Sequence, residues 1–169
     1  MTAPDLFTYT SYQPICALEV ALKGTYTLIM ACKKPFKVKI GKVGQAQIEK
    51  GLCLYTGSAL GRGASSLEKR VSRHYRKNKR IKWHVDFLTV RPEIVVETAV
   101  CLESSERFEC RISQLLISKL HAKPVVLHAG STDCKCAGHL LYLRFADNLN
   151  EVLSMLEQIY SPFGRSFRL

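Results

Sequence analysis

The sequence predicts an α+β domain: a small mixed or antiparallel sheet flanked by helices. Three observations predict it. Apolar and β-branched runs suited to strands crowd the first third of the chain. Two later segments repeat apolar residues at helical spacing. The length, 169 residues with 47% hydrophobic side chains, is one domain's worth with enough apolar surface for a core.

Residues 1–16 carry Pro4 and Pro14 and read as a loose lead-in. From Ala17 to Cys32 the chain is β-branched and apolar, enough for one or two strands. Phe36–Val43 alternates, with Phe36, Val38 and Ile40 on one face and Lys37 and Lys39 on the other, so it is expected to be a half-buried strand. Gly51–Gly57 is a short apolar run, expected as a buried strand. A Gly/Ser/Ala-rich stretch follows. Ser65 and Glu68 then stand at capping-box spacing before LEKRVSRHYRKNKR, which predicts a helix over about 65–82. Trp83–Leu88 is ambiguous. Pro92–Leu102 reads as a strand and Glu106–Leu120 as a helix. Lys123–His128 and His139–Phe145 read as short strands. Asp147 can cap a last helix over Asn148–Tyr160, before a basic tail expected to be mobile. The division is thus a lead-in (1–16), a main domain (17–145), and a C-terminal helix with its tail (146–169). No internal repeat is evident.

Lys and Arg number 25 against 14 Asp and Glu, a net +11. That excess favours a polyanion partner, nucleic acid before anionic lipid, although it also serves solubility. No apolar run is long enough to span a bilayer, so a membrane-spanning helix is not expected. The first residues lack the basic and apolar regions of a secretory signal. Seven cysteines (16, 32, 53, 101, 110, 134 and 136), an odd number, argue for reduced thiols in a cytoplasmic protein, nucleoid-associated if nucleic acid is the partner.

Helical wheels isolate two charges that face the wrong way. Leu67 and Val71 define an apolar stripe, and Arg70 and His74 fall on it, whereas Lys69, Arg73, Arg76 and Arg80 group opposite. A guanidinium directed inward requires an anion. In the later helix Ile112, Leu116 and Leu120 form a stripe, and Glu109 lies on it. Two structural explanations stand beside a functional one. Glu109 can sit in the first turn, favoured by the helix dipole, or form a buried ion pair with Arg70. Two tyrosines accompany these charges. Gly24-Thr25-Tyr26 lies in one apolar run and Tyr55-Thr56-Gly57 ends another, so adjacent strands can project Tyr26 and Tyr55 on one face. Packing alone accounts for most strand tyrosines.

Together these residues resemble the GIY-YIG nuclease superfamily. Gly24-Thr25-Tyr26 stands for the first triplet and Tyr55-Thr56-Gly57 for the second. Arg70, His74 and Glu109 match the helix arginine, the residue one turn later and the metal-binding glutamate. The run is most similar to an archaeal and bacterial branch sometimes fused to endonuclease III. That branch carries GTY, YTGSA, RVSRH and WHVD-like segments, Glu109-Cys110, and the C-x-C-x-x-H segment Cys134–His139. The resemblance spans about residues 20–145. It departs from the superfamily in three ways. Threonine is central in both triplets. The longer gap from Tyr26 to Tyr55 implies an extra hairpin. No asparagine lies between Glu109 and Asn148, where members often close the site with one.

The resemblance implies a metal-dependent endonuclease that hydrolyses phosphodiester bonds, in DNA rather than RNA, for repair or genome maintenance. It implies one divalent metal, Mg²⁺ or Mn²⁺, on Glu109. Arg70 would act as electrophile, Tyr26 or Tyr55 as base and water positioner, and His74 as a phosphate contact. A tyrosine, with its ordinary pKa near ~10, needs help to act as a base. Lys69, Arg73, Arg76, Lys77, Lys79, Arg80 and Lys82 form a basic track for DNA backbone. About six phosphate contacts would give a log K–log salt slope of roughly −5. The alternative function is a non-catalytic DNA- or RNA-binding module built on this helix; a third reading is an RNA-processing partner of other proteins. Cys110, Cys134, Cys136 and His139 could form a Cys₃His zinc site. The C-x-C spacing is tighter than usual, so buried thiols and a turn-capping Asp133 are the first reading there. Trp83, His84 and Asp86 are assigned to packing and hydrogen bonding.

Overall fold

The computed structural model describes residues 21–143 and 148–169. Its elements, in order, are β1 (Gly24–Cys32), β2 (Phe36–Ile40), β3 (Gly44–Ile48), β4 (Gly51–Ala59), α1 (Leu67–Tyr75), α2 (Asp86–Thr89), β5 (Ile94–Glu103), α3 (Glu109–Leu120), β6 (Lys123–Pro124), β7 (Leu140–Leu143), α4 (Leu149–Tyr160) and β8 (Ser166–Arg168). Six strands form one sheet in the order β6-β7-β4-β1-β5-β8, and every neighbouring pair is antiparallel. The fold is α+β, as expected.

Helices cover both faces of this sheet, which explains why β1 and β4 are buried along nearly their whole length. On one face Tyr26, Leu28 and Met30 pack with Leu67 and Val71 of α1, Val85 and Leu88 around α2, and Phe36, Ile40 and Ile48 of the hairpin. On the other, Ile29, Leu54 and Val100 pack with Ile112 and Leu116 of α3 and with Val152, Leu156 and Tyr160 of α4. Each such apolar side chain contributes roughly 1.5–3 kcal/mol by leaving water. The C-terminal helix is therefore integral to the second core. Gly24 has no alternative: a Cβ there would lie 2.0 Å from the Leu102 carbonyl oxygen on β5.

The β2–β3 pair is the extra hairpin, with Lys37, Lys39, Gln45 and Gln47 outward. The predicted strand at 36–43 ends at Ile40, and the hairpin's second strand, β3, had no position from the residue pattern. The predicted basic helix at 65–82 is too long. Ser66, not Ser65, is the N-cap, accepting from the Lys69 amide, and α1 stops at Tyr75 with Arg76 extended. Continuing it would stack like charges at i, i+4 (Arg73/Lys77 and Arg76/Arg80) with no acidic partners. The chain instead turns, and Lys79 Nζ bonds the Arg73 and His74 carbonyls in the last turn of α1. The ambiguous segment at 83–88 contains the start of short helix α2.

The strand expected at 123–128 pairs only through Pro124, and turns follow. Asn148 caps α4 by accepting from the Asn150 and Glu151 amides. The basic tail is not free: residues 166–168 pair with β5 as its outer neighbour, and Arg168 meets Glu157 of α4. Residues 1–20, with the lead-in and the start of the run at Ala17, lie outside the described residues, as do 144–147 with the proposed Asp147 cap. Among the described residues no helix is long and apolar enough to cross a membrane.

Candidate active site and metal centre

β7 pairs with β4 only over Leu52–Tyr55. Beyond Tyr55 the outer edge of β4 is met by the His139 carbonyl, which accepts from the Thr56 amide at 3.0 Å, and then opens. Side chains from both faces of the sheet reach this open edge. A cleft of about 490 Å³ forms there, lined in part by Tyr55, Gly57, Ser58, Arg70, Lys82, Trp83, Glu109 and His139.

Tyr26 and Tyr55 do share a face. Tyr26 lies opposite Gly57 in the β1–β4 register, and its ring meets that of Tyr55 edge-on at 6.2 Å. The second triplet ends in glycine because a Cβ at Gly57 would come within 2.8 Å of the Tyr26 hydroxyl. Tyr26 is only 1% exposed and does not line the cleft; its hydroxyl bonds His74 Nε2 at 2.9 Å. His74 is fully buried. It cannot contact a phosphate in this arrangement, which corrects the role expected for it. Its Nδ1 lies 3.8 Å from Asp86 Oδ1. At that distance Nδ1 makes no hydrogen bond, and Tyr26 Oη and Nε2 share one whose direction follows the tautomer.

Burial pushes the Tyr26 and Tyr55 phenols well above their ordinary range; Arg70 opposes the rise. Neither phenol is positioned to ionise near neutral pH. Burial holds the His74 imidazole down at about 3, with Lys79, Arg73 and Arg70 adding and Asp86 opposing. The unfolded chain protonates this imidazole near pH ~6.5. Stability contributed by neutral His74 is thus intact above that pH and lost as pH falls from about 6.5 toward 3. The slope is at most about 1.4 kcal/mol per unit. Urea melts at pH 7 and pH 5 are expected to show this loss in wild type, and a smaller loss in His74→Gln.

Asp86 is fully buried and anchors the loop after α1. It accepts from Arg73 Nη1 at 2.9 and 3.0 Å, from the Lys82 amide at 2.8 Å and from the Trp83 amide at 3.0 Å. Burial alone would raise its carboxyl; these bonds outweigh that and hold it below the usual range. Trp83 packs against the His74 ring at 5.7 Å and carries the guanidinium carbons of Arg70 and Arg73 at 4.7 and 4.5 Å. His84 Nδ1 accepts from the Gly130 amide at 2.8 Å. Asp86 is engaged in packing and hydrogen bonding, as expected, whereas Trp83 and His84 make such contacts and also line the cleft.

The basic track is shorter than expected. Arg73 turns back to Asp86, Lys79 is nearly enclosed beside the same carboxylate, and Lys77 Nζ bonds the Thr89, Arg91 and Ile94 carbonyls. Lys69, Arg76, Arg80 and Lys82 stay exposed, and Lys82 reaches the cleft.

The two inward charges meet at the cleft without pairing with each other. Arg70 Nη1 donates to the Ser58 carbonyl at 2.7 Å, and its buried Nε has no hydrogen-bond partner. The Ser58 hydroxyl donates to Glu109 Oε2. The Phe108 amide, at the start of α3, donates to Thr25 Oγ1 at 3.2 Å, leaving the Thr25 hydroxyl free to donate to Ser58 Oγ at 3.2 Å. Thr25, the departure in the first triplet, therefore ties β1 to the helix that carries Glu109. Thr56 likewise bonds Thr27 at 3.0 Å, facing α4. Arg107 Nη1 stands 3.9 Å from Glu109 and 3.8 Å from Asp133. Sequence reading did not single out Ser58 or Arg107 as site residues. Ser58 lies in the segment YTGSA, and its alternation onto the Glu109 face was the available signal.

Beside Glu109, the donor atoms of Cys110, Cys134, Cys136 and His139 all lie within 4.8 Å of one another. Cys110 comes from α3, and the other three from the loop before β7 and its end. These four residues can hold a metal ion. Asp133 is largely exposed and faces Arg107, so it serves as a partner to that cation. Cys32, Cys53, Cys101 and the three cluster cysteines are free thiols.

An antiparallel sheet between two helical layers, with an open strand edge flanked by a polar cleft and a Cys₃His cluster, is the class of domain these features define. The chain belongs to the family described as domain of unknown function DUF123, whose model matches residues 25–161. Comparison of the chain with curated proteins and with solved structures finds no match.

Proposed function

We propose that the cleft at the open edge of β4 is a phosphodiester hydrolysis site, as the resemblance to GIY-YIG nucleases implies, and that the substrate is DNA. One observation carries this reading. Arg70 and Glu109, each on an apolar helix stripe, line one cleft yet are bridged by Ser58 instead of neutralising each other. A buried, unpartnered Nε on Arg70 is a donor in need of an acceptor. A nonbridging phosphate oxygen meets that need, because guanidinium geometry suits it.

The donor set also fits a hard divalent cation. Glu109 offers one oxygen-donor carboxylate at a water-accessible cleft, and Mg²⁺ or Mn²⁺ keeps most of its ligands as water. Such an ion, when bound, supplies positive charge against the phosphate and the leaving oxygen. The chain's own groups do the rest. Arg70 draws charge from the phosphorus centre as the pentacovalent transition state forms. Ser58 fixes the Glu109 carboxylate through its hydroxyl. Tyr55, at the cleft wall, orients the attacking water as a neutral hydroxyl. Water adds across one P–O bond: its oxygen bonds phosphorus, one proton ends on the leaving oxygen, and the other passes to solvent. Tyr26, His74 and Asp86 hold α1 and Trp83 in place behind Arg70. Lys82 and the exposed Lys69, Arg76 and Arg80 attract the DNA backbone without reading bases, so structure or damage guides the choice of site.

The test is incubation of supercoiled plasmid with Mn²⁺ and the wild-type, Glu109→Ala or Arg70→Ala protein. Nicking by wild type that both substitutions abolish is expected. Gel retardation without nicking by wild type supports the binding module instead.

A further inference from the structure

We propose that Cys110, Cys134, Cys136 and His139 bind one Zn²⁺ as a closed structural site that clips the cleft's outer loop onto α3. The proposal stands on geometry and donor chemistry and does not depend on the hydrolytic reading. A tetrahedral zinc with sulfur ligands near ~2.3 Å and nitrogen near ~2.0 Å places neighbouring donors about 3.5–3.8 Å apart. Cys134 Sγ and His139 Nε2 are already 3.7 Å apart, and the whole set spans at most 4.8 Å. Closing the remainder needs side-chain adjustments of about an ångström. Three thiolates and an imidazole are soft and borderline ligands that select zinc over magnesium or calcium. Four protein ligands leave no open position, so this is a site that holds structure and does not itself carry a substrate.

The segment it holds is tied to the rest of the fold by few bonds, the Gly130 amide to His84 Nδ1 and the Thr56 amide to the His139 carbonyl, and by the buried Ala129 and Ser131. Between β6 and β7 the chain runs through turns, with His128 at φ 63° and Gly130 at φ 82°. Within it, Ser131 bonds His128, Cys134 bonds Ser131, the His128 amide bonds the Ala137 carbonyl, and the Ser131 hydroxyl bonds the Cys136 carbonyl, so Cys134 and Cys136 sit on a loop closed mainly on itself. Gly130, Thr132, Asp133 and His139 from this segment form one wall of the cleft. A zinc ion would bind that wall to Cys110, the residue next to Glu109. One short stretch of α3 would thus present a hard carboxylate to the cleft and a soft thiolate to the clip, sorting two kinds of cation to two places.

The experiment measures zinc in the full chain, expressed in zinc-supplemented medium and dialysed against metal-free buffer with reductant. One zinc per chain is expected for wild type and for Glu109→Ala, and none for Cys134→Ser or Cys136→Ser. A second measurement covers variants that fail to fold. Refolding wild type with Co²⁺ is expected to give the visible d–d bands and thiolate charge-transfer band of tetrahedral, sulfur-bound cobalt. Zinc-free wild type with no such spectrum overturns the proposal. So does full zinc retention by folded Cys134→Ser and Cys136→Ser, or a disulfide among the three cysteines in protein purified without reductant that still melts at the wild-type temperature. Because the readout is metal content and not cleavage, an inactive but zinc-loaded protein counts against the hydrolase reading alone.

Discussion

Asp86→Ala is expected to cost about 3–5 kcal/mol of stability, the range for removing one partner from a buried charge network. The carboxylate has no exposure and faces Arg73 and Lys79, whose side chains are 22% and 5% exposed. Without it, both cations and the Lys82 and Trp83 amides lose their shared acceptor. Burial already pushes Lys79 down to about 8, with Asp86 the main opposing influence. In the variant Lys79 is expected to titrate lower still. For a chain of this size each kcal/mol moves the melting temperature by roughly 2–4 °C, so calorimetry should register a fall on the order of 10 °C. Asp86→Asn, which keeps an acceptor for the two amides, is expected to fall by less. An Asp86→Ala protein that melts with wild type would remove Asp86 as the anchor of α1 and Trp83.

Arg70→Lys is expected to reduce plasmid cleavage by about 10²–10³-fold, close to the effect of Arg70→Ala, while DNA affinity changes little. Lysine keeps the charge. It loses the planar fork that donates to the Ser58 carbonyl, packs over Trp83 and leaves Nε free for a phosphate oxygen. Melting temperatures of the same variants separate this loss from unfolding. A lysine variant that cuts at the wild-type rate would mean that Arg70 supplies only bulk charge.

Much of the fold was legible in residue patterns. The strands at β1, β4 and β5 sit where apolar and β-branched runs put them, α3 where its i, i+4 stripe does, and α4 where a capping position before Asn148–Tyr160 predicts it. The errors have physical causes. Alternation and helical spacing report which face is apolar, but not where a chain of like charges must turn, so pattern alone extends the basic helix past Tyr75. The tail was expected to be mobile because SPFGRSFRL has no long apolar pattern; pairing with β5 fixes it from outside its own sequence. β3 was missed because GQAQI is too polar to register as a strand without its partner β2.

The site divided in the same way. Arg70 and Glu109 stood out because a charge on an apolar stripe is costly wherever the helix packs. His74 stood out for the same reason, but its hydrogen-bond partner is internal, the Tyr26 hydroxyl. Ser58 bridges the two charges only once β4, α1 and α3 meet. The four metal ligands are visible in the sequence as C-x-C-x-x-H and Cys110. Their convergence depends on α3 starting beside the loop before β7, which local spacing does not encode.

The central claim is that Arg70 and Glu109 flank the scissile phosphate. The most direct measurement is a crystal structure with a short DNA duplex and Ca²⁺, an ion that holds such complexes without rapid turnover. A backbone phosphate oxygen hydrogen-bonded to the Arg70 guanidinium, with Ca²⁺ on Glu109, is the expected result. DNA bound across the exposed Lys69, Arg76 and Arg80 surface, with water alone beside Arg70 and Glu109, would contradict it.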